Sequence, residues 1–563
     1  MTSEAPIRTD LLFSDALDSR LGTLAVLVIT LAFYLYTLQP SLSWGDGTRL
    51  QREAITGESF ILAELVDVPF APDPFPFARL GVAAWDHPLY VVVGHTLVQL
   101  LPGVDRLWLV NLLSAIFGAA AITTLFWLCY RHTRSLMSSL YASLALSVAH
   151  TFWFHATTPE VYTLFAFLLL LSLALCDRFE QTGHPAALAG SAFALGLGAS
   201  NHLLALLALP AAAFYLLLSG RSRWMALRPH KLALTAMAFL AGFSLYLIQL
   251  ARMLRTFSLS SVVGPVVGTT FLRGLLEMPP PFLLVSLLTY LMYLFFQFGP
   301  LGLGLGIYGF WKGSLDDAPL RKKAISFFII YALFGVLYRV SDQFAFFLGS
   351  YLFWAMAMAM GAARLAKRLS DQGRRWLAAA LALAILVMPP FYSAAPGWLR
   401  SFGVTDQSFG IPPIGTGVRD GLNFYINPNK HGDDAAYRFG RETMESLPPG
   451  AVVIAQWYTD TDEYFVLRYF SVVEGLRPDV ELVGWPREEP IDFDSSLAVR
   501  RIEAELSRGR PVYLASLSEA YYRAATLVEQ YCIVPEHNLY RIYPGPPDGA
   551  QPEAMICVTD AQP

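Results

Sequence analysis

The sequence predicts a polytopic α-helical membrane protein that ends in a small α/β domain. Of the 563 residues, 55% are hydrophobic and only 15% are charged, whereas a soluble globular protein carries about 25% charged residues. Apolar runs long enough to cross a bilayer recur as far as residue 392, and the mean hydropathy is +0.45. Beyond that point the apolar runs shorten to the length of strands. We therefore expect a membrane domain over 1–392 and an α/β domain over 393–563.

The membrane domain is predicted to contain about eleven spans. A long outward loop at 41–87 follows the first span, and its many Pro and Phe residues are typical of segments at the membrane interface. Residues 88–101 are apolar but too short to cross, so we expect a half-span there. The run 283–311 is interrupted by Gly299-Pro300. The predicted spans are 21–39, 107–130, 136–155, 160–176, 186–200, 202–219, 232–251, 283–311, 324–338, 344–363 and 376–392.

The C-terminal domain shows an alternation of short apolar runs and helical patterns, which predicts a mainly parallel sheet. No GxGxxG or P-loop pattern occurs, so we expect no nucleotide site. Cys532 and Cys557 are suited to a disulfide if this domain is extracytoplasmic, although their spacing does not establish the pair. Strands are predicted at 451–455, 480–483 and 512–515, and helices at 460–474, 496–508 and 518–530.

The distribution of Lys and Arg predicts the orientation in the membrane. The predicted loops on one side carry about twice as many basic residues as the loops on the other, and the basic side is the cytoplasmic one. This places the N-terminus in the cytoplasm and the α/β domain outside it. The first apolar run is longer than a signal-peptide core and lacks a cleavage site, so we interpret it as a retained span. The formal net charge of -4, with no basic tail, argues against a nucleic-acid partner.

The stretch after the first span contains the leading catalytic candidate. Pro40 ends the apolar run, and Asp46 follows between Gly45 and Gly47, where the backbone is free to bend. Ionisable residues at membrane depth are costly and usually functional, which favours Asp46 as a general base. The alternative is that Asp46 only caps a short surface helix.

Further ionisable and polar residues recur on the predicted outward side. Asp86 and His87 precede the half-span, and the others lie at the outward turns between spans. No HExxH, CxxC or GxSxG motif occurs, so a Mg²⁺ or Mn²⁺ site that includes Asp46 is compatible with the residues but not required by them. The candidate substrate-binding residues are His87, His155, Glu160, Asn201, His202, Arg252, Arg255, Arg339 and Asp342.

Several stretches, taken together and in order, resemble one family. They are YTLQPSLSWGDG, HPLYVVVGH, FWFHATTPEVYTLFAFLLLL, GLGASNHLLAL and VSDQFAFFLGSYLFWAMAMAMG. They resemble the GT-C glycosyltransferases, and more narrowly the bacterial relatives of the eukaryotic transmembrane protein O-mannosyltransferases. The segment ESLPPGAVVIAQWYTDTDEYFVLRYFSVVEGLRPDVELVGW resembles the outward domain of those relatives. The resemblance implies a bacterial inner-membrane enzyme whose catalytic Asp lies in the first outward loop, here Asp46.

Two departures from the family pattern accompany the resemblance. The family often carries an acid three residues after the catalytic Asp, where this chain has Arg49, and its His-Pro-Pro-Gly stretch is contracted here to His87-Pro88.

The resemblance implies transfer of a sugar, with mannose as a candidate, from a polyprenyl-phosphate donor to a protein hydroxyl or a glycan at the outer membrane face. The leaving phosphate needs positive charge or hydrogen-bond donors, and Glu160 and Asp342 are suited to orient a cation or a sugar hydroxyl. The same residues fit two alternative classes of membrane protein: a transporter or lipid flippase, and a non-catalytic membrane scaffold. The candidates for the phosphate are His87, His202, Arg252, Arg255 and Arg339.

Overall fold

The computed structural model describes residues 9–59, 86–219, 228–255, 259, 279–311, 318–338, 342–411, 413–456, 463–485, 495–517, 524–545 and 556. The candidate Arg339, Cys557 and most of the predicted interfacial loop lie outside these residues. The chain folds into two compact units. The first comprises the described residues of Met1–Leu38, Phe70–Val93 and Leu112–Tyr392, and the second those of Gln39–Pro69, Gly94–Asn111 and Ser393–Pro563.

Helices form nearly all of the described chain up to residue 401. The apolar runs predicted as spans fall on these helices, except that 136–155 and 344–363 are each divided between two helices and 202–219 begins with the 3-10 turn Leu203–Leu207. The helices are α1 Thr9–Thr37, α2 Asp46–Thr56, α3 Pro88–Leu100, α4 Arg106–Thr133, α5 Leu136–Ser147, α6 His150–Thr157, α7 Tyr162–Thr182, α8 Pro185–Asn201, α9 Ala208–Ser219, α10 Pro229–Met253, α11 Pro280–Trp311, α12 Ala318–Leu337, α13 Gln343–Phe346, α14 Leu348–Arg368 and α15 Asp371–Ser401.

Six helices in the described residues are long and apolar enough to cross a membrane. Their length and composition confirm the predicted membrane class. These are Ser19–Thr37, Arg106–Thr133, Tyr162–Thr182, Pro229–Met253, Pro281–Trp311 and Asp371–Ser401.

The long helix α11 is broken where the sequence predicted an interruption. Gly299 adopts φ 62° and ψ -177° inside the helix, a conformation that residues with a β-carbon rarely adopt. The next residue, Pro300, has no backbone N–H to continue the helical ladder. The two residues therefore divide the helix at this point.

Helices α8 and α10 cross at two glycines. A β-carbon built on Gly196 would collide with the backbone carbonyl oxygen of Phe239, and one built on Gly242 would collide with that of Phe193. Small residues at a crossing let helix backbones approach closely, which is how helices commonly associate in membranes.

We expect Gly196→Ala to lower the free energy of unfolding by about 1–3 kcal/mol, because backbone atoms cannot rotate away from the added methyl group. The measurement is thermal unfolding in detergent. Gly190→Ala is the matched control on the same helix, since a β-carbon there meets only the end of the Leu175 side chain at 3.4 Å. Equal unfolding temperatures for the two variants would contradict the close crossing.

The C-terminal part contains a five-stranded sheet in the order β2-β1-β3-β5-β4. Strand β1 is parallel to β2 and β3, whereas β5 is antiparallel to both β3 and β4. The three predicted strands correspond to the first three, but the sheet is mixed rather than mainly parallel, because β4 and β5 form a hairpin. The strands are β1 Val452–Gln456, β2 Glu481–Trp485, β3 Val512–Leu514, β4 Cys532–Glu536 and β5 Leu539–Tyr543.

The sheet is covered by helices that bury its apolar side chains. Its core includes Val452, Val512 and Ile533 from the strands and Ile502 from a helix. Cys532 is disulfide-bonded, and the proposed partner Cys557 is outside the described residues. The helices are α16 Gly421–Ile426, α17 Ala435–Ser446, α18 Glu463–Val472, α19 Ser495–Ser507 and α20 Ala524–Val528.

Candidate functional site

Asp46 is the first residue of α2 and is exposed, whereas the helix that follows it is buried. Gly45 occupies the N-cap position with φ 76°, a left-handed value that favours glycine. The Asp46 side chain is 65% exposed, but the residues from Gly47 to Ile55 are buried. Asp46 therefore does not occupy the cap position, and α2 is not a surface helix.

Arg49 is a partner of the Asp46 carboxylate. Its Nε lies 3.4 Å from Asp46 Oδ1, and its Nη1 lies 3.5 Å from Glu53 Oε1. In the sequence, Arg49 stands out only as a departure from a family pattern. The three-residue spacing on a helix was the signal for this ion pair, because residues three apart are neighbours on a helix surface.

Two buried amide side chains fix the turn that precedes Asp46. Gln51 accepts the Ser43 N–H at 3.0 Å and donates to the Ser41 carbonyl at 3.1 Å and to Asn111 Oδ1 at 2.8 Å. Asn111 donates to the carbonyls of Gln39 and Ser41 at 2.8 and 2.9 Å. Side chains thus pair the Ser43 N–H and the carbonyls of Gln39 and Ser41, which favours one conformation of this turn.

A second polar cluster, in the other unit, contains two stacked histidines. The rings of His87 and His202 lie 5.2 Å apart with an interplanar angle of 14°. His87 Nδ1 is 2.8 Å from the Asn201 carbonyl oxygen, which only accepts, so Nδ1 carries a hydrogen. His202 Nδ1 accepts the Leu204 N–H at 3.0 Å, so its hydrogen is on Nε2. When both rings are neutral, Nε2 of His87 is an acceptor and Nε2 of His202 is a donor.

Asn201 contacts this histidine pair, and it bonds to Val161, the residue that follows Glu160. Asn201 is fully buried and donates to the Val161 carbonyl at 2.8 Å. The hydroxyl of Ser114 accepts the Glu160 N–H at 3.1 Å and donates to the Glu160 carbonyl at 3.2 Å. These bonds fix the backbone that carries the half-buried Glu160 side chain.

Aromatic rings connect His155 to the same cluster. Tyr162 lies 4.5 Å from His155 and 5.3 Å from His202, measured between ring centroids. His155 also stacks on Phe344 at 5.7 Å. Its ring is buried, and within the described chain neither ring nitrogen has a hydrogen-bond partner. Asp342 occupies the N-cap position of α13, the helix that carries Phe344.

The remaining candidates that the structure describes are Arg252, Arg255 and Asp46. Arg252 is exposed and donates to Gln249 Oε1 at 3.3 Å, and Arg255 is exposed beyond the end of α10. Asp46 belongs to the second unit and the histidine pair to the first. Among the side chains that the structure describes, no group of three or more His, Cys, Asp or Glu is arranged to hold a metal ion.

Comparison with known proteins identifies relatives of the N-terminal half. Residues 85–225 match the family model described as the protein O-mannosyl-transferase TMEM260 N-terminal domain. The mouse (Mus musculus) protein O-mannosyl-transferase TMEM260 is 27% identical over 160 residues, which is 28% of this chain and 20% of the mouse protein. The similarity therefore spans about a fifth of that relative.

Solved structures share the fold over nearly the whole chain. ArnT from Cupriavidus metallidurans in the apo state has a TM-score of 0.52 at 14% identity and covers 92% of this chain and 97% of its own. The same protein bound to undecaprenyl phosphate has a TM-score of 0.51 at 13% identity and covers 96% and 98%. At such identities the likeness establishes the fold.

Proposed function

Because the chain resembles the GT-C membrane glycosyltransferases in fold and, over residues 85–225, in sequence, we propose that it transfers a sugar from a polyprenyl-phosphate donor to a hydroxyl group of a protein or glycan. The name of the mouse relative supports mannose as the sugar and a protein as the acceptor. The undecaprenyl phosphate bound by ArnT supports a polyprenyl-phosphate donor.

Asp46 is the proposed general base. Transfer breaks the bond between the sugar C1 and the phosphate oxygen, while the acceptor hydroxyl forms a new bond to C1 and loses its proton. A positioned carboxylate that takes this proton contributes about 10² to 10⁴ in rate. The observation that carries the assignment is that Asp46 is the exposed end of an otherwise buried helix.

The histidine pair is proposed to contact the leaving phosphate. The Nε2–H of His202 is a suitable donor, and protonated His87 would add a positive charge near developing negative charge. Glu160 and Asp342 are assigned to orient a sugar hydroxyl or a cation, and Arg252, Arg255 and Arg339 remain candidates for the phosphate. Asn201 and His155 are buried, so we assign them to hold the neighbouring rings.

The same proposal includes the cellular arrangement. The protein would lie in a bacterial inner membrane with its N-terminus in the cytoplasm, and the membrane domain over 1–392 would be followed by an extracytoplasmic α/β domain over 393–563. This arrangement follows from the predicted distribution of basic residues.

The direct test is incubation of the purified protein in nanodiscs with labelled polyprenyl-phosphate sugars and candidate acceptor proteins, followed by mass spectrometry. We expect labelled acceptor with the wild-type chain and almost none with Asp46→Asn. Movement of the lipid-linked sugar across the bilayer without transfer would instead indicate a flippase. Binding with neither movement nor transfer would indicate a scaffold.

A further inference from the structure

Helix α18 of the α/β domain packs against α2, the helix that begins with Asp46. Burial lowers the pKa of Arg52 on α2, whereas the neighbouring Glu53 and Tyr464 act in the opposite direction, and Arg468 lowers it further. Side chains of α18 therefore face the charged residues of α2 directly. The position of Asp46 depends in part on residues more than 400 positions later in the chain.

The turn before Asp46 is also held by C-terminal residues. Trp44 is buried, and its ring centroid lies 5.6 Å from that of Phe439 on α17. The guanidinium carbon of Arg419 lies 5.9 Å from the Trp44 ring and 5.5 Å from the Tyr425 ring. A cation at these distances is attracted to the faces of both rings, more strongly when it is shielded from water.

Glu463 is the first residue of α18, the helix that packs against α2, and it is buried. Its side chain is 0% exposed, and within the described residues neither carboxylate oxygen has a hydrogen-bond partner on another residue. Burial raises the pKa of Glu463 to about 8, and its own backbone N–H and the charge of Arg419 act in the opposite direction. A buried carboxyl without a hydrogen bond from another residue lowers the stability of the fold, so packing alone does not explain why a glutamate occupies this position.

Arg419 is the charged group whose field acts on Glu463 in the described structure. On α2, the charged residues Arg49, Arg52 and Glu53 interact with one another. Strand β1 carries no ionisable residue, and Glu481 on β2 pairs with arginines. The charged residues of α17 are exposed and are Arg438, Arg441, Glu442 and Glu445.

We propose that Glu463 is a positioning residue for the turn that carries Asp46, and that it acts through Arg419 and Trp44. While Glu463 is neutral, Arg419 remains on the Trp44 ring. Once Glu463 ionises, its full negative charge in a buried, low-dielectric position attracts the guanidinium more strongly than a ring does. Arg419 then leaves the ring, and the turn loses one of its fixed contacts.

The ionisation of Glu463 should appear in the stability of the fold. Its pKa in the folded state lies above its ordinary value of 4.5. Between these two values the folded chain keeps a proton that the unfolded chain releases, so Glu463 lowers stability progressively as the pH rises to about 8. Glu463→Gln removes this effect and should unfold at a higher temperature than wild type at pH 8. Identical pH dependence of the two unfolding temperatures would exclude titration of Glu463 in this range.

Hydrogen exchange of the full-length protein tests the positioning role without any assay of sugar transfer. We expect the peptide containing Ser43–Asp46 to exchange equally in wild type and Glu463→Gln at pH 7, but several-fold faster in wild type at pH 9. In the Arg419→Gln background, adding Glu463→Gln should not change exchange at either pH, because that background lacks the group that transmits the charge. If the ratio of the wild-type exchange rate to the Glu463→Gln exchange rate were the same at pH 7 and pH 9, the proposal would be overturned.

The second readout rests on the proposed function. Sugar transfer by wild type should decline several-fold as the pH rises through about 8, whereas Glu463→Gln should not show this decline and Glu463→Ala should be slower throughout. Glu445→Gln, an exposed carboxylate on α17, is the control and should follow wild type. If no variant transfers sugar, the exchange result still decides the positioning role. If transfer occurs but the pH profiles coincide, the positioning proposal alone fails.

Discussion

The Asp46→Asn protein is expected to insert and fold like wild type but to transfer sugar about 10² to 10⁴ times more slowly. The amide has the shape of the carboxylate and keeps one oxygen that can accept from Arg49, so the contacts of α2 should persist. It cannot accept a proton at neutral pH. Donor binding should therefore survive, and the loss should fall on turnover.

The structure sharpens the distinction that this substitution tests, between Asp46 as a general base and Asp46 as a helix cap. If Asp46 were a helix cap, Asn would replace it without loss, because Asn and Asp cap equally well. Gly45 holds the cap position, and the Asp46 carboxylate accepts from the side chain of Arg49. A matched control is Asp105→Asn, because the Asp105 carboxylate does accept the Trp108 N–H at 2.8 Å at the start of α4. That variant should transfer sugar at the wild-type rate.

Two measurements separate the roles of Asp46: sugar transfer under saturating donor, and donor binding measured alone. Wild-type turnover in Asp46→Asn would remove Asp46 from the chemistry. An equal loss of turnover and donor binding would make it a ligand of the donor rather than the base.

The helices were predictable because their signal is local in the sequence. Apolar runs of membrane-spanning length and the Gly299-Pro300 interruption can be read without knowledge of any contact. The β4–β5 hairpin was missed because its turn contains His537 at φ 56° instead of a glycine. Because this turn was not recognised, the antiparallel strands β4 and β5 were not predicted, and the sheet was expected to be mainly parallel.

The site was predictable in its residue types but not in its contacts. Asp46 stood out because a carboxylate between two glycines follows a span, and the pairing with Arg49 was available from helical spacing. His87 and His202 are 115 positions apart, and Trp44 and Arg419 are 375 apart. Such pairs depend on how distant elements pack, which no local pattern specifies.

Lys323 illustrates the same limit for stability. The sequence places it in a basic run on the predicted cytoplasmic side and gives no sign of its partners. The structure buries it: its side chain is 2% exposed, binds Asp177 on α7, and lies 2.6 Å from Glu180 Oε2. Asp177 also accepts from His132 on α4. One buried lysine thus links α12 to two carboxylates on α7.

Lys323→Met is expected to destabilise the protein by about 3–5 kcal/mol, because removing one partner leaves buried negative charge without its counter-ion. Thermal unfolding in detergent provides the measurement. Lys322→Met on the same helix is the control and should change stability by less than about 0.5 kcal/mol, since Lys322 is only half-buried. Adding Asp177→Leu to Lys323→Met should restore part of the loss, because both charges of the pair are then absent. If the double variant were as unstable as the sum of the two single variants, the residues would not act as a pair.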